Sequence, residues 1–137
     1  MIAVDVNVIA YLWLPSAHTQ AVNELLLQDP DWISCFLWRS EFRNILTGYV
    51  RRGQYSLIQA IDIQTRVEEQ LKGKEFMVES SAVLNLVGQS TCSAYDCEYV
   101  ALANQMNVKL ISYDKQIIRQ FPSVVMTAEA YLSNIKK

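Results

Sequence analysis

Four acidic side chains stand where the sequence pattern changes from strand-like to helical. Asp5 ends a short apolar run near the start of the chain, and Asp114 follows another such run near its end. Glu41 and Asp96 each fall in the first turn of a predicted helix. Strand ends and the helix starts that follow them gather at one edge of a parallel sheet. We therefore expect the four carboxylates to converge in one crevice.

Converging carboxylates with apolar flanks point to a cation. They repel one another and are costly to bury, and divalent ions relieve that repulsion. Oxygen ligands without a cluster of histidines or cysteines favour Mg²⁺ or Mn²⁺ over zinc. The sole histidine, His18, lies in a polar loop, and the sequence contains no glycine-rich phosphate loop. Metal-assisted attack of water on a phosphate is the chemistry that remains.

Each carboxylate, taken alone, also has a structural interpretation. Asp5 could close an Asx turn and Asp114 could cap a helix. Ser93 and Asp96 have the spacing of a capping box, and Glu41 could favour the positive end of its helix. The joint occurrence of all four favours a site over four separate structural roles.

Short apolar runs alternate with longer helical patterns along the chain, which predicts βα units and a parallel sheet. We expect Asp5 and Asp114 to lie on adjacent strands of a single domain over residues 1–137. The predicted strands cover 2–4, 32–35, 76–78, 108–112 and 123–126. The predicted helices cover 19–27, 40–52, 56–71, 81–87 and 95–106, with a short helix opened by Asp114 and a last helix capped by Thr127.

Composition restricts the class of protein. The net charge of −2 over 137 residues argues mildly against a generic nucleic-acid binder, although bound cations would change the local charge. Three cysteines without Cys-x-x-Cys spacing predict reduced core residues, as in a cytoplasmic protein. The start has no basic region of a signal peptide, and no apolar run could span a membrane. We expect a cytoplasmic protein without a membrane partner.

The ordered set of motifs resembles the PIN-domain family. The similar segments are 2–9, with Asn7 two positions after Asp5; Ser40-Glu41-Phe42; 95–103; and 110–114. The resemblance implies a three-layer α/β/α sandwich with a mainly parallel five-stranded sheet. It also implies a Mg²⁺- or Mn²⁺-dependent ribonuclease in which Asp5, Glu41, Asp96 and Asp114 bind metal and act in catalysis. Asn7 and Ser112 would orient carboxylates or waters.

Many short, single-domain members of this family resemble this chain in length and are VapC-like toxins. That resemblance implies an RNA substrate, a homodimer and a VapB-like antitoxin that holds the enzyme inactive. An RNA-processing or DNA-directed nuclease outside a toxin pair, and a non-catalytic scaffold binding RNA or protein, stay open. A haloacid-dehalogenase-like phosphatase needs a second Asp where this chain has Asn7. A phosphoreceiver domain needs an acidic pair after the first strand and a phosphoacceptor Asp after the third; it fits poorly, because Glu79 and two serines follow the predicted strand 76–78.

Two further sets of charges lie near these motifs. Arg39 and Arg43 are one helical turn apart beside Glu41, so they could contact an RNA backbone or complement the helix dipole. Glu98 could add a carboxylate to the site, but a solvated position on its helix is favoured.

Overall fold

A computed structural model describes residues 1–136 and contains a five-stranded parallel sheet with the strand order β3-β2-β1-β4-β5. The strands are β1 (Ile2–Val4), β2 (Trp32–Cys35), β3 (Glu75–Phe76), β4 (Leu110–Ile111) and β5 (Val125–Met126). β1 lies at the centre, with Ala3 paired to Ile33 on one side and to Leu110 on the other. The strands that precede Asp5 and Asp114 are therefore neighbours, as predicted.

Eight helices surround the sheet in the described part of the chain. They are α1 (Val6–Trp13), α2 (Thr19–Gln28), α3 (Leu37–Arg51), α4 (Leu57–Gln70), α5 (Ser80–Gly88), α6 (Ala94–Met106), α7 (Lys115–Gln120) and α8 (Ala128–Ile135). All three β1 side chains are buried although successive side chains point to opposite faces. Both faces of the sheet must then be covered, which is why β1 lacks polar alternation. The predicted α/β/α sandwich is confirmed.

The core explains how the helices on either side of the site are held. Trp38 and Phe42 of α3 and Tyr99 of α6 are among its largest fully buried side chains. The helix α6 packs across β1, β2 and β4, the strands that lead into the predicted site. The cysteines Cys35, Cys92 and Cys97 are buried free thiols, in agreement with the prediction of core residues. Over residues 1–136, no helix is both long and apolar enough to cross a membrane.

The structure corrects several element boundaries. Helix α1 was not predicted, because its β-branched Val6, Val8 and Ile9 continue the strand-like character of the chain start. Helix α3 begins at Leu37, so Glu41 lies in its second turn rather than the first. The strands β3, β4 and β5 contain two residues each and are shorter than predicted. That residues 1–137 form one domain stays a prediction, and Lys137 lies outside the described residues.

Candidate active site

Asp5 occupies the carboxyl end of the central strand and is almost fully buried, with 5% of its surface exposed. Its side chain caps α1 by accepting a hydrogen bond from the Val6 N–H at 2.7 Å. Burial raises the pKa of Asp5 to about 7, although hydrogen bonds from Ser112 and Val6 oppose the increase; Glu41 and Asp96 add to it. A carboxylate in this setting gains from a nearby cation, which stabilises its charged form.

Ser112 and Asn7 connect Asp5 to the end of the neighbouring strand. The buried Ser112 hydroxyl donates to Asp5 Oδ2 at 2.7 Å and accepts from the Asp114 N–H at 3.1 Å. Asn7 Nδ2 lies 3.3 Å from Ser112 Oγ and 3.4 Å from Asp5 Oδ2, and Asn7 Oδ1 accepts from the Tyr113 N–H. The side chains predicted to orient carboxylates therefore contact Asp5 directly, and they tie α1 to the segment after β4.

Glu41 is held by a residue that the sequence analysis did not single out. The Tyr99 hydroxyl, on α6, donates to Glu41 Oε1 at 2.6 Å, and Tyr99 is only 1% exposed. Burial raises the pKa of Tyr99 far above its ordinary value, so the hydroxyl stays protonated as a donor. Burial also raises the pKa of Glu41, and the charge of Asp96 increases it further. The spacing of Asp96 and Tyr99, three residues apart on one helix, was the signal available in the sequence.

Asp96 and Asp114 lie at the starts of two helices. Asp96 is in the first turn of α6, where its N–H donates to the capping side chain of Ser93 at 3.1 Å. Burial raises the pKa of Asp96, and the neighbouring Asp114 is the second cause. Asp114 caps α7 through Oδ1, which accepts from the N–H groups of Gln116 and Ile117. Capping is therefore a real role of Asp114, and it fixes the direction of the carboxylate.

The charges of the four carboxylates influence one another in a series of pairs. Glu41 and Asp96 act on the pKa of Asp5, Asp96 acts on Glu41, and Asp114 acts on Asp96. Among residues 1–136, however, no three His, Cys, Asp or Glu side chains form a group that could hold a metal ion. Mg²⁺ binds through one or two carboxylates and keeps several waters, so it does not require such a cage. The donor chemistry fits a hydrated ion.

Glu98 lies closer to these carboxylates than the sequence indicated. The favoured interpretation was a solvated helix residue, but the side chain is half-buried. Burial raises its pKa, and the charge of Glu41 is the other cause. Glu98 is thus close enough to Glu41 for their charges to interact.

Arg39, which could contact an RNA backbone or complement the helix dipole, is engaged in an ion pair in the structure. Its guanidinium donates twice to Glu75, through Nε and an NH2 group at 2.6 Å each, and once to Glu68 at 3.0 Å. Residues two positions apart on a helix do not share a face, so both Arg39 and Arg43 point away from Glu41. Arg43 is exposed and borders a groove between α3 and α4. A contact of Arg39 or Arg43 with an RNA backbone stays a prediction.

Replacing Arg39 with methionine should lower the free energy of unfolding by about 2 kcal/mol. The Glu75 side chain is only 6% exposed, and it would lose both guanidinium hydrogen bonds and keep only that of Trp38. Urea denaturation is the measurement. Arg43→Met is the matched control, because this exposed arginine should change stability by less than about 0.5 kcal/mol. Equal losses in the two variants would contradict the importance of the ion pair.

Comparison with known proteins agrees with this geometry. The family model of the PIN domain matches residues 2–121, a range that contains all four carboxylates. The chain belongs to the PIN-domain family.

Individual relatives were found in sequence and in structure. The chain is 26% identical over 130 residues to "Ribonuclease VapC3" of Pyrobaculum aerophilum, covering 90% of this chain and 97% of that one. PAE2754 from the same organism superposes with a TM-score of 0.76 at 18% identity, over 98% of this chain and 96% of the other. FitAcB from Neisseria gonorrhoeae gives a TM-score of 0.68 at 16% identity, over 94% and 99%. At these identities the two structures support the fold alone.

Proposed function

We propose that this protein is a metal-dependent endoribonuclease that cleaves RNA phosphodiesters. The observation that carries the proposal is the gathering of Asp5, Glu41, Asp96 and Asp114 at one edge of the sheet in a PIN-domain chain. Similarity to a protein named a ribonuclease supports RNA as the substrate.

These four side chains would hold Mg²⁺ or Mn²⁺, directly or through waters of the ion, and serve as the catalytic residues. A bound ion would lower the pKa of water and neutralise charge on the phosphate. The task of the chain is to keep the carboxylates in place. Ser112 and Asn7 hold Asp5, and the Tyr99 hydroxyl holds one oxygen of Glu41. The Tyr99 hydroxyl engages one oxygen of Glu41, and the other oxygen would be available to an ion.

The burial of this group also has a chemical consequence. Asp5, Glu41 and Asp96 all have raised pKa values, principally because they are withdrawn from water. Charges in such a setting interact more strongly than they do in water. A phosphate approaching without a cation would be repelled, so cleavage should depend on the metal.

We further propose that the enzyme is the toxin of a VapBC-like pair, acting in the cytoplasm as a homodimer and restrained by a VapB-like antitoxin. The resemblance to VapC-like toxins and the similarity to VapC3 support this. Surface on α4 also favours a protein partner, since Leu57, Ile58 and Ile61 are exposed beside the groove bordered by Arg43. The toxin proposal predicts growth arrest when the protein is produced alone and not when Asp5→Asn is produced.

The purified protein should cleave RNA in the presence of Mg²⁺ or Mn²⁺ and should lose that activity in EDTA. The physical reason is the repulsion between the carboxylates and phosphate, which only a cation relieves. The measurement is gel analysis of structured and single-stranded RNAs, with single-stranded DNA as a parallel substrate. Readdition of Mg²⁺ after EDTA is the control for intact protein.

Cleavage that EDTA leaves unchanged would contradict the metal-dependent mechanism. Cleavage of DNA in preference to RNA would replace the ribonuclease proposal with a DNA-directed nuclease. Binding of RNA without any cleavage in Mg²⁺ or Mn²⁺ would favour the non-catalytic PIN scaffold.

A further inference from the structure

A small pocket opens beside the acidic cluster, between α1, the loop over residues 14–16 and α3. Its volume is about 180 Å³, and two tyrosines, Tyr11 of α1 and Tyr49 of α3, line it together with the apolar Leu14 and Ile45. Asn7 lines the same pocket and also contacts Asp5. This tyrosine pocket is therefore one side chain away from the candidate active site.

Neighbouring residues hold Tyr11 in position. The ring of Tyr11 lies 4.9 Å from that of His18 and 5.3 Å from that of Tyr113, measured between centroids. The Thr19 hydroxyl donates to the Tyr11 carbonyl at 2.7 Å. Tyr113 is in turn fixed to Asn7 by its backbone N–H. The position of the Tyr11 ring is thereby coupled to the network around Asp5.

A cation lies over the Tyr49 ring, outside the residues that line the pocket. The Arg52 guanidinium lies 4.8 Å from the centroid of the Tyr49 ring, and Tyr55 packs 5.4 Å from the same ring. Aromatic faces with positive charge beside them are the means by which proteins bind single-stranded nucleic acid: bases stack, and the cation interacts with the backbone. The structural alternative is that these rings only anchor the loop over residues 14–16.

The size of the pocket restricts its occupant. Pockets for drug-sized ligands measure roughly 300–1,000 Å³, so this one suits a single ring system. A base inside a duplex is already paired and stacked and could not enter without leaving the helix. An occupant next to Asn7 would also lie next to the carboxylates.

We propose that the tyrosine pocket binds one unpaired nucleobase of the RNA beside the phosphodiester to be cut. The identity of the nucleic acid rests on the proposed function. The pocket makes the substrate a single-stranded segment or loop. The interaction tolerates different base sequences, because every base has a face that can stack.

The test is binding of a short single-stranded RNA with one central 2-aminopurine, followed by quenching of that base's fluorescence. All proteins carry Asp96→Asn, so that cleavage does not affect the titration. Tyr49→Phe keeps the aromatic wall and should bind within about twofold of the parent. Tyr49→Ala should bind roughly ten- to a hundredfold more weakly. The same RNA annealed to its complement should show no saturable quenching by the pocket.

Two further variants distinguish loss of base binding from loss of folding. Ser16→Phe places a ring at the mouth of the pocket from an exposed loop and should also weaken binding, with thermal melting as the check of folding. Tyr95→Ala removes a tyrosine that is 63% exposed in a different depression beside Glu41, and binding should be retained.

The proposal is overturned if Tyr49→Ala and Tyr49→Phe bind alike, if only Tyr95→Ala weakens binding, or if an RNA with an abasic site at the probe position binds as tightly. It is also overturned if Tyr49→Ala weakens binding of an antitoxin while RNA binding is unchanged, since the pocket would then serve the protein partner.

Base-dependent quenching, together with no RNA cleavage by the wild-type protein in Mg²⁺ or Mn²⁺, would refute the proposed function alone. Metal-dependent cleavage with equal affinities in the Tyr49 pair would refute the pocket alone.

Discussion

Replacement of Asp96 by asparagine should reduce RNA cleavage at least about a hundredfold, because loss of a residue that only supports a metal ligand already costs 10- to 100-fold. Asparagine preserves the size of this half-buried side chain and removes its charge. The measurement is kcat/KM for a cleaved RNA at saturating Mg²⁺. The exposed Asp62, paired with Arg66 on the surface of α4, provides the matched control: Asp62→Asn makes the same change in net charge and should leave cleavage unaltered.

Loss of a contact to Asp5 should reduce cleavage less than loss of Asp96 does. Ser112→Ala removes the hydroxyl that donates to Asp5 Oδ2, so cleavage should fall by roughly 10- to 100-fold, less than in Asp96→Asn. An Asp96→Asn protein that retains full activity would remove this carboxylate from the proposed catalytic set. A Ser112→Ala loss as large as that of Asp96→Asn would give Ser112 a direct role.

Asp5→Asn should stabilise the metal-free protein at pH 8. Burial holds the pKa of Asp5 at about 7 in the folded protein, against its ordinary value of 3.8. Because the folded-state pKa is the higher one, the stabilising contribution is complete below about pH 4 and is lost as pH rises through 7. Between pH 5 and pH 8 this single group should cost the wild-type protein about 2–3 kcal/mol. The neutral asparagine does not pay that cost.

The measurement is urea denaturation in EDTA at pH 5 and pH 8 for both proteins. Glu41, Asp96 and Glu98 have raised pKa values in the same direction, so the wild-type dependence contains their contributions and the difference between the proteins isolates Asp5. The exposed Asp62→Asn variant should follow the wild-type curve. Parallel pH dependences for wild type and Asp5→Asn would show that Asp5 titrates as an ordinary carboxyl.

The order of elements and the approach of Asp5 to Asp114 could be predicted from local sequence. Apolar runs without alternation identify strands covered on both faces, and β1 and β2 were predicted with the bounds they have. Parallel pairing then brings the ends of β1 and β4 together, since Val4 pairs with Ile111. The caps Asp114 and Thr127 were also predicted, because a capping side chain bonds to N–H groups two or three residues away.

The remaining features depend on residues far apart in the chain, and only the tertiary structure decided them. Glu41 meets Tyr99 across 58 positions, and Arg39 meets Glu75 across 36 in an ion pair that the local sequence did not indicate. The start of α3 at Leu37 follows from burial of Trp38, which local propensity does not reveal. Propensity and capping act over one helical turn, whereas burial and charge pairing are set by whichever elements the sheet brings together.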